Sequence, residues 1–302
     1  MQAPEYRGRF APSPTGPLHF GSLIAATGSY LQARSQNGRW LLRIEDIDPP
    51  REVPGAADDI LRTLTAFGFE WDAKEVYQSE RHEAYQAALD RLSEHGLAYP
   101  CACTRKQIQA VARLGPAGAI YPGTCREGLN GRQARAWRVR TEGEQVAFSD
   151  GLQGEVYWNL DDMIGDFVVR RADGYYAYHL ASVVDDAAAG ITEVVRGQDL
   201  LACTPPQIHL QRLLDAPTPS YLHLPIAVNR AGQKLSKQTF ATALDHSRAN
   251  ELLAAALQFL GQPVPKELTA APLPEIWDWA IAAWDIASLP RREALPTPSL
   301  MS

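Results

Sequence analysis

The stretch from Arg7 to Ser22, Arg-Gly-Arg-Phe-Ala-Pro-Ser-Pro-Thr-Gly-Pro-Leu-His-Phe-Gly-Ser, constrains the fold of this chain more than any other. Three prolines and a glycine follow a short apolar start. Behind them come Leu23, Ile24, Ala25, Ala26, Tyr30, Leu31 and Ala33, whose spacing suits the buried side of a helix. The segment reads as strand, tight loop, helix. Such a junction brings backbone close to a ligand, and the helix start offers unpaired N–H groups and a positive dipole to an anion. His19 and Gly21 stand at that entrance. Histidine can hydrogen-bond a phosphate oxygen, and glycine lets a base or ribose approach the backbone. Alone, the stretch reads first as a proline-rich turn entering an ordinary core helix.

A second stretch, Ala-Gly-Gln-Lys-Leu-Ser-Lys-Gln around Gly232, places Lys234 and Lys237 three apart with Ser236 between them. The chain has five lysines, so two of them in one polar loop is a concentration. A lysine is a mobile point charge that can follow a phosphate through a reaction.

Together the two stretches resemble the class I aminoacyl-tRNA synthetases. The carriers are His19-Phe20-Gly21-Ser22 and Lys234-Leu235-Ser236-Lys237-Gln238, and Arg9-Phe10-Ala11-Pro12-Ser13-Pro14-Thr15-Gly16 is similar to the glutamyl branch. Ser22 stands where the class signature has its second histidine, and Gln238 replaces a terminal serine. The resemblance implies activation of a carboxylate by in-line attack on the α-phosphate of ATP. Lys237 and Lys234 would stabilise the growing charge, His19 would bond the phosphates, Mg2+ would accompany ATP, and His19, Gly21 and Lys237 would contact the nucleotide.

Patterning along the chain fits an α/β fold of Rossmann type with a doubly wound parallel sheet. Gly38 to Asp46 reads as a buried strand ending in acids, stopped by the turn Asp48-Pro49-Pro50-Arg51. Helices are predicted over Ala56 to Phe67 and Glu80 to His95. Trp137 to Val139, Val146 to Phe148 and Phe167 to Arg171 read as strands. Ile191 to Asp199 ends an apolar strand with Arg196, where an unpaired guanidinium is costly, so the arginine is expected to meet a carboxylate of the protein or of a ligand. Leu200 to Asp215 reads as a helix broken near Thr204-Pro205-Pro206, and Leu222 to Val228 as the last strand before the lysine loop. His209 and His223 read as packing or surface residues without a catalytic role.

By the same resemblance Arg9 and Arg196 bind the carboxylates of L-glutamate and Glu45 accepts from its ammonium. Ala11, Ser13, Tyr178 and Ser182 complete that pocket. Two arginines against two carboxylates favour glutamate over glutamine.

Ala98 to Arg140 differs in kind. Cys101, Cys103 and Cys125 cluster in a glycine- and proline-containing insertion, suiting one structural Zn2+ that ties together a segment too small to bury a core. Free buried cysteines are the alternative, and no fourth ligand is evident from spacing. The resemblance implies Tyr121. The expected organisation is a catalytic core over 1–97 and 141–240, the insertion over 98–140, and a helical C-terminal region over 241–302.

The formal charge of −6 and pI of about 5.7 give no overall basic character, so a tRNA must meet a local basic face. Arg126, Arg132, Arg135, Arg138 and Arg140 make the densest basic stretch, which also reads as a solvated surface. No run of about eighteen apolar residues is present and the N-terminus lacks the pattern of an export signal, so no membrane partner and a cytoplasmic location are expected. Four cysteines in such a chain argue against a disulfide framework.

After Gln238 the 302-residue chain leaves 64 residues, read as helices over Glu251 to Leu260 and Glu275 to Trp284 and a tail from Pro290 to Ser302. That is too little for an anticodon-reading domain. A glutamyl core, the Cys-x-Cys insertion with Tyr121 and Cys125, and this abrupt end resemble the glutamyl-queuosine tRNA(Asp) synthetase family. Its members place glutamate on queuosine in the anticodon loop of tRNA(Asp). The implied partners are ATP, L-glutamate and queuosine-bearing tRNA(Asp), with the protein acting as a monomer. The competing expectations are a compact glutamyl-tRNA synthetase charging the 3′ end and a zinc-bearing tRNA-binding paralogue without catalysis.

Overall fold

The computed structural model describes residues 5–115, 118–229, 232–233 and 242–298. Strand β1 (Arg7–Phe10) enters the proline-rich loop, and helix α1 (Phe20–Ser35) leaves it. Strand β2 (Arg39–Ile44) pairs parallel with β1 from Arg7 opposite Arg39 to Phe10 opposite Leu42. After α2 (Ala56–Ala66), the short β3 (Val76–Tyr77) pairs parallel on the far side of β2.

The chain then runs through α3 (His82–Glu94) to β4 (Ala98–Cys101) and the insertion, which holds α4 (Arg105–Gln109) and the short pair β5 (Leu114–Gly115) and β6 (Gly118–Ala119). It returns at β7 (Ala136–Val139), which lies between β4 and β10 (Val168–Arg170) in a small antiparallel sheet. Between β7 and β10 stand the hairpin β8 (Gln145–Asp150) and β9 (Gly154–Asn159) and the single turn α5 (Leu160–Met163).

Helix α6 (Tyr178–Ala188) leads to β11 (Glu193–Gly197), α7 (Thr204–Leu213) and β12 (Ser220–Leu224). β11 and β12 pair parallel, with Arg196 opposite His223. Thr192 N donates to Arg7 O at 2.9 Å, which sets β11 beside β1. The first strands therefore step away from β1 on one side and the later ones on the other. Ligands in such sheets sit beyond the carboxyl ends of the strands where the order reverses, here Phe10 and Gly197.

Helix α1 is buried nearly all round, including Thr27, Ser29 and Gln32. One side covers the parallel strands, and the other receives α8 (Ala249–Phe259) and α9 (Leu273–Ala283). Tyr30, Trp40, Phe69 and Trp277 interlock beneath it with ring centroids 4.8 to 5.5 Å apart. A Cβ at Gly28 would lie 2.4 Å from Leu224 Cδ1, so glycine sets how closely α1 approaches β12.

Three expectations are corrected. The prolines at 205 and 206 do not break a helix; they lie in the first turn of α7, where their missing N–H groups lose no bond, and a tighter 3-10 segment over Gln198–Cys203 precedes it. Pro225 splits the last strand into β12 and β13 (Ile226–Val228). The presumed tail contains β14 (Ala294–Pro296), paired parallel with β13. Among the described residues no helix is long and apolar enough to cross a membrane.

Candidate functional site

A cleft of about 740 Å³ opens at the reversal point. It gathers Arg9, Ala11, Ser13, His19, Gly21, Glu45, Tyr178 and Arg196, all singled out from sequence. Ser182 is placed elsewhere: it is buried on α6 with its Oγ 3.4 Å from Arg43 Nη2, one layer behind the wall. Lys234 and Lys237 lie outside the described residues.

His19 caps α1. Its Nδ1 accepts from Ser22 N at 3.3 Å while Ser22 Oγ accepts from His19 N at 3.5 Å. The serine that replaces the signature's second histidine thus closes a reciprocal capping box and fixes the imidazole at the helix entrance.

Beneath the cleft, two arginines converge on one carboxylate. Arg9 Nε lies 3.2 Å from Asp186 Oδ1 and Arg43 Nη1 2.5 Å from the same oxygen. Burial favours the neutral acid, but the charges of Arg43 and Arg9 outweigh it and hold Asp186 below the ordinary carboxylate range. Arg43 Nη2 also reaches Glu45 Oε1 at 3.1 Å. Burial pushes Glu45 upward and Arg43 offsets this only in part, so a second cation beside Glu45 would find a receptive carboxylate.

Arg196 is held differently. Nε donates to His223 Nε2 at 3.0 Å, Nη1 to Gln207 Oε1 at 2.9 Å and Tyr178 OH at 3.2 Å, and Nη2 to Thr204 Oγ1 at 2.7 Å. All these acceptors are neutral, and no ion pair among the described residues includes Arg196. The carboxylate expected for it is therefore not supplied by the described protein. Arg9 and Arg43 are thus matched by Asp186 and Glu45, whereas the hydrogen bonds of Arg196 among the described residues go to neutral groups. A guanidinium held by neutral acceptors suits the carboxylate of a ligand.

His223 and Asp150 were missed as functional candidates. His223 Nδ1 lies 2.6 Å from Asp150 Oδ2, and Asp150 Oδ1 also accepts from the backbone N of Leu152 and Gln153 at 3.1 and 2.9 Å. A guanidinium can only donate, so His223 Nε2 is the acceptor and Nδ1 carries the proton to Asp150. Burial further favours neutral imidazole, lowering His223 below its ordinary pKa despite Asp150. The available signal was a histidine inside the apolar run Leu222-His223-Leu224, which needs a buried partner.

In the insertion, the thiols of Cys101, Cys103 and Cys125 lie within 4.8 Å of one another. Tyr121 OH stands 3.4 Å from Cys101 Sγ and 3.5 Å from Cys103 Sγ, and it accepts from Cys125 N at 3.0 Å. Burial opposes the Cys125 thiolate, but hydrogen bonds from Tyr121 and the Ala102 backbone bring the thiol down to about 7. Arg138 Nε lies 3.4 Å from Cys101 Sγ, and Arg132 Nη2 3.3 Å from Cys125 Sγ. Three soft donors, a phenol and adjacent cations fit a thiophilic divalent metal. Four of the five arginines of the basic stretch are tied to groups of the protein. Arg126 pairs with Asp166, Arg132 and Arg138 turn to the thiols, and Arg140 bonds Gly96 O, leaving the exposed Arg135 side chain without a partner among the described residues.

The family model of the class I tRNA synthetase (E and Q) catalytic domain matches residues 5–261. A glutamyl-Q tRNA(Asp) synthetase of Dechloromonas aromatica is 59% identical over 302 residues, covering 99% of this chain and 100% of that protein. The protein of the same name from Chromobacterium violaceum is 57% identical over 286 residues, covering 94% and 95%. Among solved structures, a glutamate tRNA ligase from Elizabethkingia meningosepticum in complex with its amino acid superposes with a TM-score of 0.82 at 22% identity, covering 98% of this chain and 68% of that one. A glutamate-tRNA synthetase from Elizabethkingia anophelis gives 0.79 at 23% identity, covering 98% and 69%.

Proposed function

The chain belongs to the class I tRNA synthetases of the glutamyl and glutaminyl type, and from that premise we propose that it activates L-glutamate with ATP and transfers it to queuosine in the anticodon loop of tRNA(Asp). The observation that carries the amino acid is Arg196, which forms no ion pair among the described residues, beside Tyr178 in one cleft with Glu45 and the helix cap at His19. A side-chain or main-chain carboxylate completes Arg196, and the ammonium completes Glu45. Glutamine lacks the second negative charge and leaves a desolvated guanidinium unpaired, which discriminates strongly. The acceptor is carried by relatives above 50% identity over nearly the whole chain that bear the glutamyl-Q tRNA(Asp) synthetase name.

In this reading Arg9 and Arg196 take the two carboxylates, with Ala11, Ser13 and Tyr178 lining the pocket and Ser182 steadying it through Arg43. His19, Gly21 and Lys237 receive ATP, which brings Mg2+. Lys237, with Lys234, meets the charge that grows on the α-phosphate, and no enzyme nucleophile is needed. Cys101, Cys103, Cys125 and Tyr121 would hold one Zn2+, whose contribution is to tie the insertion together. The catalytic core then comprises 1–97 and 141–240, the insertion 98–140, and the C-terminal region 241–302. The protein acts in the cytoplasm as a monomer.

The test is ATP-dependent transfer of labelled glutamate to tRNA from cells with and without queuosine. Label confined to the queuosine-containing pool is expected. Equal label in both pools would move the acceptor to the 3′ end, and no label in either would remove the enzymatic reading.

A further inference from the structure

The two faces of the small sheet β4-β7-β10 carry different chemistry. Side chains alternate along β7, so Arg138 turns toward Cys101 and the backbone O of Asp166, and Trp137 turns the other way. On β10 an extra residue places Val168 opposite Arg138 and Arg170 opposite Trp137. Opposed residues leave a sheet on the same side, so this bulge sets Arg170 beside the indole. There a hollow of about 260 Å³ is lined by Arg135, Trp137, Arg170, Arg171 and Gly174.

The charges in this hollow are not cancelled equally. Arg171 is paired with Asp48 at 2.8 Å and Asp173 at 2.5 Å. Among the described residues Arg170 bonds the neutral Gly174 O and Gln86 Oε1, with its guanidinium 5.7 Å from the Tyr176 ring. Arg135 is exposed, and its side chain has no partner among the described residues. Arg171 also lines the large cleft, as does Tyr176, so the hollow adjoins that cleft's mouth.

We infer that this hollow receives an unpaired nucleotide next to the one held in the cleft, its base on Trp137 and its phosphates against Arg135 and Arg170. An aromatic face flanked by guanidinium groups suits one flat base of a single strand, whereas a paired base in a duplex cannot enter. In a chain of net charge −6 a polyanion must find its cations locally, and neither of these two is in an ion pair among the described residues. The inference rests on the RNA-acceptor reading above and names the surface that reading requires.

Binding of an anticodon-loop RNA hairpin is measured by fluorescence anisotropy against salt, and glutamate binding by calorimetry without RNA. Arg135→Glu is expected to weaken hairpin binding roughly tenfold and to reduce the salt slope by about one, with glutamate binding unchanged. Removing the base on one side or the other of the acceptor nucleotide should cost the parent protein roughly tenfold at one of the two positions, and nothing further in Trp137→Leu. Parent-like hairpin binding by Arg135→Glu, or an abasic penalty that persists in a folded Trp137→Leu, would overturn the inference. The glutamate transfer assay is scored separately: if the parent binds the hairpin as described but transfers no glutamate, the enzymatic reading fails and the surface stands.

Discussion

Arg196 shows how one residue's usefulness depends on what its neighbours lack. Its four acceptors are neutral and no ion pair among the described residues includes it, and His223 fixes its angle through Nε while Asp150 fixes His223. His223→Phe keeps the ring against Tyr221 but removes both bonds. Glutamate KM is expected to rise roughly tenfold, about 1.4 kcal/mol, with ATP KM unchanged in pyrophosphate exchange; an equal rise in both would assign His223 to packing. A second histidine bears on pH. His179 Nδ1 is buried without a hydrogen-bond partner among the described residues, and burial, then the charge of Arg196, lowers its pKa to about 4. The unfolded chain protonates this residue near 6.5 and the folded one only near 4, so the unfolded state binds more protons in that window and stability falls as pH drops through it. Denaturant midpoints from pH 7 to 4 should fall less steeply in His179→Phe, and parallel curves would refute the assignment. Arg196 and Glu45 were legible because a charge at the end of an apolar strand demands a reason. Asp150 and His223 were not, because their partnership spans 73 positions and only the sheet register joins them.

At the scale of elements, the insertion is a segment whose order depends on few groups. Its strands β5 and β6 are two residues each, and Leu114 is 87% exposed. What closes it is the thiol cluster with the buried Tyr99, Cys101, Tyr121 and Cys125. Cys125→Ser is therefore expected to lose one equivalent of zinc by elemental analysis and to become protease-sensitive within 98–140, while the rest of the chain stays resistant. Unchanged metal content and cleavage would remove the cluster from that role. The cysteine spacing made this element readable, as the proline-rich loop did for β1 and α1. The basic stretch stayed ambiguous in sequence because arginines two to six apart face a carboxylate, two thiols and carbonyl groups in space. Helix α7 misled for another reason: proline is a breaker only where an N–H is missed, and the first turn misses none.

For the whole molecule, the order reversal at β1 means that the cleft is assembled from segments far apart in the chain, and the last of these is held from behind by the C-terminal region. Trp277 Nε1 donates to Phe67 O and Trp284 Nε1 to Gln32 Oε1, each at 2.9 Å, which fastens α9 to the first half of the chain. β14 then lies along β13, with Ile226 N donating to Glu293 O and Thr297 N to Val228 O, each at 2.9 Å. Pro225, Ile226 and Ala227 line the cleft, and the lysine stretch follows β13 directly in sequence. The prolines around Ala294 and Leu295 concealed this strand, since proline is tolerated only at an edge, and β14 is one. Truncation after Arg292 removes β14 but keeps the buried Leu289 in the core. The expected result is a melting temperature lower by only a few degrees, since about 1 kcal/mol shifts a domain this large by no more than that. Pyrophosphate exchange should fall roughly tenfold through ATP rather than glutamate, because β13 leads into the lysine stretch proposed above to receive ATP, and Arg9, Glu45 and Arg196 are untouched. Loss of glutamate binding with ATP binding intact would reverse that division, placing the influence of the C-terminal strand on the amino-acid side.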